Sequence, residues 1–516
     1  MWCVNIAPMK TNRTAGVILH PTSLPSRFGI GDFGPTAAAY VEWLAGAGAT
    51  WWQVLPLHPP GPGDSPYSAI STFAGNELLI SPDLLVEDGV LSEDGVTEVP
   101  DLPAEWVDYE EVRRYKIGLL RRAYLRFRDE SPPKLMRQLA GFREQHRAWL
   151  ADYTLFRAIR DSHDGMPWYE WPRPLARRDS DALVSWMQEH QQEVDFVEFC
   201  QFFFFRQWTA LRDWARELGV GIFGDVPIFV ARDSAEVWAH PEIFLLDEDR
   251  NPTVVAGVPP DYFSETGQLW GNPLYDWDYM AADGYSWWIS RLRHMLEMAD
   301  LVRLDHFRGF AAYWEVSARA ETAVEGNWRP GPGRPFFEAV RTALGALPLV
   351  AEDLGEITPD VVALKEELGI PGMAILHFAF SPEPRSTFIP YALERNSVVY
   401  TGTHDNNTSV GWYLEDASEE EKDLVRRYAS SSGREIHWDL IRLALGSVAD
   451  TAIVPHQDLA GLGADCRMNT PAVGEGNWRF RITPRMLGEG IQARFWDMVE
   501  AYGRMPAEPA DVTFRE

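Results

Sequence analysis

The sequence predicts a (β/α)8 barrel, an α/β fold in which eight parallel strands alternate with helices. Eight short apolar runs occur along the chain, with helix-like segments in most of the gaps between them. Three of these runs end in carboxylates, at the end of a barrel strand where active sites form. A doubly wound parallel sheet is the alternative. The runs begin near Gly16, Trp51, Gly221, Leu301, Leu349, Met373, Val398 and Thr451.

Composition narrows the class of protein. The 516 residues with 46% hydrophobic content suffice for one large core with insertions, or for two to three ordinary domains. A formal net charge of -29 argues against a nucleic-acid partner, because phosphates are bound by Lys and Arg. Three distant cysteines without CxxC spacing indicate neither a disulfide framework nor a zinc site. Without an apolar leader or a long apolar run, we expect a cytoplasmic protein with no membrane partner.

The first predicted strand, starting at Gly16, is followed by a glycine-rich loop. Gly29, Gly31 and Gly34 match the G-x-G-x-x-G pattern of dinucleotide sites. That pattern requires the loop to follow a strand directly, whereas here about ten residues with two prolines intervene. We therefore interpret the loop as a tight turn into a helix over 35–45.

The chain changes character after the second predicted strand, Trp51 to Leu55. A loop rich in Pro and Gly follows, and then apolar residues recur at helical spacing over 112–127, 134–161 and 194–218. Four consecutive phenylalanines, 202–205, face all round such a helix and predict core packing.

These patterns predict the domain organisation. We expect residues 1–57 and 220–516 to form the barrel with further loop insertions, and residues 58–219 to form a large, mainly helical insertion between strands 2 and 3. An irregular stretch from 249 to 277 precedes a helix over 285–298 and the strand at Leu301.

Charged side chains follow three of the predicted strands. Arg303 and Asp305 lie two residues apart, so on a strand their side chains point to the same side. An isolated pair of this kind is commonly a structural ion pair. However, the run at Leu349 leads into Glu352 and Asp353, and the run at Val398 leads to Asp405. Three strand ends that each present a carboxylate indicate acid/base chemistry.

Cleavage of a glycosidic bond fits these carboxylates best. No Walker loop, no H-E-x-x-H and no G-x-S-x-G elbow occurs. Glycosidic cleavage canonically needs one ionised carboxylate and one protonated carboxyl group, about 5–5.5 Å apart in retaining enzymes. Arg303 favours an ionised Asp305, the predicted nucleophile, and nearby like charges favour a protonated acid. Spacing alone leaves Glu352 and Asp353 open as that acid, and the chemistry requires no metal or cofactor.

Aromatic side chains in loops bounded by Pro and Gly are candidates for stacking on sugar rings. They are Tyr67, Tyr262, Phe263 and Trp270, and packing in the core is the alternative for each of them.

Seven sequence runs together resemble a known family. GDSPY, GDVPIFV, PPDYFSETGQLWGNPLY, RLDHFRGF, AEDLG, GTHDN and RMNTP are similar to the motif set of the 4-α-glucanotransferases. These are the amylomaltases or disproportionating enzymes of glycoside hydrolase family 77, relatives of the α-amylases. The resemblance spans the chain from near Gly16 to about Phe480. It implies a (β/α)8 barrel with Asp305 as nucleophile, Glu352 rather than Asp353 as acid/base, and Asp405 as the third carboxylate.

The resemblance also implies a set of substrate-binding residues. In the family the third carboxylate binds hydroxyls of the sugar at the cleavage point, and the loop between 261 and 270 is a lid over the cleft. The implied substrate-binding residues of this chain are Ser65, Tyr67, Asp225, Asp261, Tyr262, Phe263, Gln268, Trp270, Arg303, His306, His404 and Asn469.

The expected activity follows from this resemblance. A segment of an α-1,4-glucan is transferred to the 4-hydroxyl of glucose or of another glucan by double displacement with retention. The expected partners are malto-oligosaccharides and α-1,4-glucans such as glycogen, starch and amylose. The alternatives are an α-amylase-like retaining hydrolase, with water as acceptor, and a catalytically silent glucan-binding protein.

Overall fold

The computed structural model describes residues 13–260, 264–382 and 386–506. The strands in these ranges are β1 (Thr14–Ile18), β2 (Trp51–Gln53), β3 (Gly221–Val226), β4 (Val254–Val258), β5 (Gln268–Pro273), β6 (Leu301–Leu304), β7 (Ala312–Ser317), β8 (Gly326–Pro330), β9 (Leu349–Ala351), β10 (Gly372–Ile375), β11 (Ser397–Tyr400) and β12 (Thr451–Pro455).

Eight of these strands form one parallel sheet in the order β10-β11-β12-β1-β2-β3-β6-β9. The N–H of Ala351 donates to the carbonyl oxygen of Pro371 at 2.8 Å, which brings the two outer strands of that order together. Each strand coincides with one of the eight apolar runs, and the predicted (β/α)8 barrel is confirmed. Gly16 is required by close packing in the barrel, because a Cβ there would lie 2.6 Å from the Cβ of Trp51.

The α-helices lie between and around these strands. They are α1 (Pro35–Gly46), α2 (Pro82–Glu87), α3 (Tyr109–Glu130), α4 (Pro133–Gln145), α5 (Leu150–Ser162), α6 (Arg173–Ala176), α7 (Ser180–Glu189), α8 (Gln191–Glu217), α9 (Ala235–Ala239), α10 (Trp277–Ala282), α11 (Ser286–Met298), α12 (Arg308–Ala311), α13 (Gly333–Leu344), α14 (Pro359–Leu368), α15 (Ser409–Gly411), α16 (Glu419–Ala429), α17 (Ile436–Gly446), α18 (His456–Leu459) and α19 (Glu489–Ala501).

Helices α2 to α8 lie between β2 and β3 in the chain. The longest of them, α8, packs on the barrel: the indole of Trp208 lies 6.5 Å from that of Trp52, and its Nε1 donates to the carbonyl oxygen of Met298 at 3.1 Å. Phenylalanines 202–205 are all buried, as their pattern predicted. These helices and the barrel therefore share one hydrophobic core.

A second, antiparallel sheet has the order β5-β4-β7-β8. Strands β4 and β5 lie within 249–277, so the prediction of an irregular stretch there is wrong. Strand β4 pairs with the nearby β5 and also with β7, more than fifty residues later in the chain, and the local pattern does not show that second pairing. This sheet positions Gln268 and Trp270, which lie on β5.

No helix in the described ranges has the length and apolar character needed to cross a membrane.

Candidate active site

Strand register brings two carboxylates to the carboxyl ends of neighbouring strands. Leu304 of β6 pairs with Ala351 of β9, and the N–H of Glu352 donates to the carbonyl oxygen of Leu304 at 3.0 Å. On the other side of β6, the N–H of Asp305 donates to the carbonyl oxygen of Val226, at the end of β3, at 3.0 Å. Asp305 and Glu352 therefore extend the ends of adjacent barrel strands.

Arg303 connects two carboxylates at this edge. Its Nη1 donates to both carboxylate oxygens of Asp225 at 2.9 and 2.7 Å, and its Nη2 donates to Oδ1 of Asp305 at 2.7 Å. The contact between Arg303 and Asp305 that the strand alternation predicted is therefore present. Because Arg303 is buried, its charge is weakly screened and fixes the orientation of Asp305.

Glu352 is held by backbone amides. Its Oε2 accepts a hydrogen bond from the N–H of His306 at 2.8 Å, and its Oε1 accepts one from the N–H of Leu354 at 3.1 Å. Burial raises the pKa of Glu352 to about 7, Arg303 opposes the shift, and the charge of Asp305 adds to it. The main cause is thus burial, whereas the sequence analysis named only neighbouring carboxylates. A carboxyl group with this pKa can be protonated near neutral pH.

Asp353, the alternative acid, has other partners. Its Oδ2 accepts from Nζ of Lys365 at 2.7 Å, and its Oδ1 accepts from the N–H of Met373 at 2.7 Å. Lys365 lies on α14 and Met373 on β10. The structure thus places Glu352, and not Asp353, in hydrogen-bond contact with the segment that carries Asp305.

Asp405 follows β11, and two side chains hold its carboxylate. Nδ2 of Asn469 donates to Oδ1 at 2.6 Å, and Nε2 of His404 lies 3.4 Å from Oδ2. The carboxylate side chain is 43% exposed, and that of Asp305 is 28% exposed. Both groups are therefore fixed in place and still open to a ligand.

Tyr67 links the two sides of this site. Its hydroxyl donates to Oδ2 of Asp225 at 2.8 Å, and its ring stacks on that of His404 with centroids 5.1 Å apart. The turn that carries it is stabilised by Ser65, whose Oγ accepts from the N–H of Tyr67 at 3.2 Å. A polar and aromatic network thus runs from Arg303 to His404.

An aromatic side chain from the antiparallel sheet lies over His306. The rings of Trp270 and His306 meet edge to face with centroids 4.8 Å apart, and Nε1 of Trp270 donates to Oε1 of Gln268 at 3.1 Å. Burial lowers the pKa of His306 to about 4, so this imidazole is neutral at pH 7. Burial also lowers the pKa of His404. A neutral imidazole both donates and accepts a hydrogen bond, which suits sugar hydroxyls.

Three residues of the predicted lid, 261–263, lie outside the described residues. They are Asp261, Tyr262 and Phe263.

Two residues of this region were not singled out from the sequence. Nη2 of Arg467 donates to the carbonyl oxygen of Asp405 at 2.6 Å, and the indole of Trp478 lies 5.8 Å from the ring of Tyr67 and 5.9 Å from that of His404. The position of Arg467 two residues before Asn469 was an available signal, because such residues share a side in extended chain. Trp478 gave no such signal, since its contacts come from distant segments.

Within residues 13–260, 264–382 and 386–506, no group of three or more His, Cys, Asp or Glu side chains is arranged to hold a metal ion. The carboxylates of the site are bound instead by a guanidinium, an amide side chain and backbone N–H groups.

Comparison with known families gives a decisive match, because the model of the 4-alpha-glucanotransferase family covers residues 19–486. The chain belongs to the 4-alpha-glucanotransferase family. A relative from Thermus thermophilus is 47% identical over 505 residues, which cover 96% of this chain and 100% of the relative. Another from Synechocystis sp. is 46% identical over 499 residues, covering 96% and 99%. Both bear the name 4-alpha-glucanotransferase.

The fold of this 4-alpha-glucanotransferase family member is also found in a solved structure. The amylomaltase from Streptococcus agalactiae in complex with acarbose matches with a TM-score of 0.92 and 38% sequence identity, over 96% of this chain and 100% of that chain.

Proposed function

We propose that this chain transfers a segment of an α-1,4-glucan to the 4-hydroxyl of glucose or of another α-1,4-glucan. The observation that carries the proposal is the pair of carboxyl groups on adjacent strand ends, Asp305 bound to Arg303 and Glu352 with a pKa of about 7. Family membership and the amylomaltase-like fold support the substrate class. The donors and acceptors are malto-oligosaccharides, glycogen, starch or amylose.

In the first step the ionised carboxylate of Asp305 attacks the anomeric carbon of the donor. Glu352 gives its proton to the glycosidic oxygen as the bond between carbon and oxygen breaks. The reducing-side portion leaves with a new 4-hydroxyl, and the remaining glucan is joined to Asp305 through an ester bond.

In the second step the carboxylate of Glu352 takes the proton from the 4-hydroxyl of an acceptor. That oxygen attacks the anomeric carbon, and the bond to Asp305 breaks. Two inversions give net retention of configuration, and both carboxyl groups return to their initial states.

The surrounding residues divide into two groups. We propose that Asp405, Asn469, His404 and His306 bind sugar hydroxyls, and that the exposed face of Trp270 stacks on a sugar ring. Three other residues act as positioning residues. Asp225 is buried against Arg303 and Tyr67, and Ser65 holds the turn that carries Tyr67. Gln268 holds the indole of Trp270.

Products from maltotriose distinguish transfer from hydrolysis. We expect glucose together with oligomers longer than maltotriose, resolved by chromatography over time. Maltose and glucose alone would establish the hydrolase instead, because water would then be the acceptor.

The role of Asp305 is tested by Asp305→Asn. Loss of the nucleophile is expected to reduce turnover on the order of 10⁴-fold or more, with an unchanged circular dichroism spectrum. Asp497→Asn, on the exposed surface of α19, is the matched control and should keep full activity. Retention of activity in Asp305→Asn would show that another group is the nucleophile.

A further inference from the structure

Apart from the candidate active site, a cavity of about 250 Å³ lies where α5 faces α9, α10 and α11. Its lining includes Trp149, Glu236, Tyr279, Asp283 and Trp287. None of the residues placed in the candidate active site lines it. The cavity is therefore a separate place on the molecule.

Three buried polar atoms on its lining residues have no hydrogen-bond partner within the described residues. They are Nε1 of Trp149, which is 8% exposed as a residue, Oη of Tyr153, which is 1% exposed, and Oε2 of Glu236, which is 4% exposed. The other oxygen of Glu236 accepts from Oγ of Ser71 at 2.7 Å and from the N–H of Thr72 at 3.0 Å. A buried polar group without a hydrogen-bond partner lowers stability, so a ligand that pairs with these atoms recovers free energy on binding.

The charges of the lining select the chemical class of the ligand. The described lining residues include Asp152, Glu236, Glu242 and Asp283 but neither Lys nor Arg, which disfavours phosphates and other anions. Asp152 is paired with Arg178 at 2.5 Å, and Asp283 accepts from Oγ of Ser286 at 2.6 Å. These two carboxylates already have a partner, but each keeps lone pairs that can accept hydrogen bonds from hydroxyl groups of a ligand.

Aromatic side chains provide the rest of the wall. Tyr279 is exposed and Trp287 half-buried, and Phe73 and Tyr153 lie deeper in the core. Sugar rings present an apolar face to such aromatic side chains and hydroxyl groups at their edges. Pockets for drug-sized molecules usually measure about 300–1,000 Å³, so this cavity suits a single ring better than an extended chain.

We propose that this cavity is a second carbohydrate site that binds one terminal glucosyl unit of an α-glucan. The identity of the sugar rests on the proposed function. Ring contacts connect the cavity with the active site, since Trp270 lies 6.4 Å from Phe229, Phe229 lies 6.1 Å from Tyr275, and Tyr275 lies 5.8 Å from Trp287. A long or branched glucan held at the cavity has a raised effective concentration at the carboxylates.

Hydrogen exchange with maltotriose tests the proposal, because it reports on each site separately. The full-length Asp305→Asn protein is used so that the ligand is not turned over. Maltotriose is expected to slow exchange in two regions, the cavity segments 149–153 and 279–290 and the active-site segments 303–307 and 403–407. Adding Tyr279→Ala, or Ser290→Phe to fill the cavity from α11, should abolish only the protection at the cavity.

Tyr391→Ala is the matched control, because Tyr391 is an exposed tyrosine that does not line the cavity. It should keep both protected regions. Protection at the active-site segments alone would overturn the second site and leave the proposed function standing. Protection at neither region would overturn both. Protection of the cavity by tetramethylammonium but not by maltotriose would show an aromatic cage for cations and would also overturn the proposal.

Discussion

The neighbouring carboxylates Glu352 and Asp353 differ in the direction in which their side chains point. Burial raises the pKa of both groups. They point apart, however, because successive side chains on extended chain alternate in direction. Glu352 meets the amide of His306 beside Asp305, while Asp353 is bound by Lys365. Of these two consecutive residues, Glu352 is therefore the candidate acid, and Asp353 forms a structural ion pair.

The pH profile tests the assignment of Glu352. The first step needs this group protonated, so kcat/KM for maltotriose should fall as pH rises above about 7. Glu352→Gln should lower kcat/KM by about 10²–10⁴-fold. The same variant should form the covalent intermediate from a maltosyl fluoride at a rate much closer to that of the unmodified enzyme, because fluoride leaves without protonation.

Stopped-flow or fluoride-release measurements give that rate. An equal loss with maltotriose and with the fluoride would contradict the role of Glu352 as acid.

At the scale of elements, a buried ion pair joins α3 to the loop before α1. Nζ of Lys116, which is fully buried, lies 3.2 Å from Oδ2 of Asp32 and donates to the carbonyl oxygen of Leu78 at 2.7 Å. Burial raises the pKa of Asp32 and lowers that of Lys116. We propose that residues 58–219 form an insertion subdomain, fixed to the barrel by this pair and by the packing of α8.

Lys116→Ala tests this connection. The change leaves Asp32 buried without its cation, which is expected to cost about 3–5 kcal/mol of unfolding free energy. Urea unfolding followed by tryptophan fluorescence measures the loss. Lys134→Ala, on the exposed surface of α4, should change stability by less than about 0.5 kcal/mol. Equal effects of the two substitutions would show that the pair contributes nothing to docking.

At the scale of the whole molecule, histidines are buried where the insertion helices meet the barrel. Burial lowers the pKa of His58 and of His146 to about 4, and that of His294 to about 3. The unfolded chain, with a histidine pKa of 6.5, binds protons that the folded chain does not. These groups therefore support full stability above pH 6.5, and their contribution is lost as pH falls from there toward the folded values.

His146→Phe tests this dependence. The ring of His146 packs 4.5 Å from that of Phe142 and 5.0 Å from that of Phe205, so Phe fits the aromatic surroundings without titrating. Between pH 6.5 and about pH 5 the variant should lose about 1–2 kcal/mol less stability than the unmodified protein. Chemical unfolding at each pH measures the free energy of unfolding of both proteins. An unchanged slope in His146→Phe would contradict the prediction.

The local sequence pattern was sufficient to predict the strands of the barrel but not those of the antiparallel sheet. Apolar runs such as the one at Leu301 are bounded by charge, glycine or proline within a few residues, so their length and position can be predicted directly. Strand β4 has the weakly patterned segment Val254–Val258, whose pairing with β7 joins segments far apart in the chain. Sequence alone gave no reason to prefer that pairing.

The sequence by itself determined the eight barrel strands and the positions of Asp305, Glu352 and Asp405 after three of them, because both follow from neighbouring residues in the chain. Tertiary structure decided which groups meet: Asp225 with Arg303 and Tyr67, and Trp478 with His404. Those contacts depend on strand register and barrel closure, which bring distant segments within hydrogen-bonding distance. Burial of Glu352, and with it the shift of its pKa, likewise arises only when the surrounding elements have packed together.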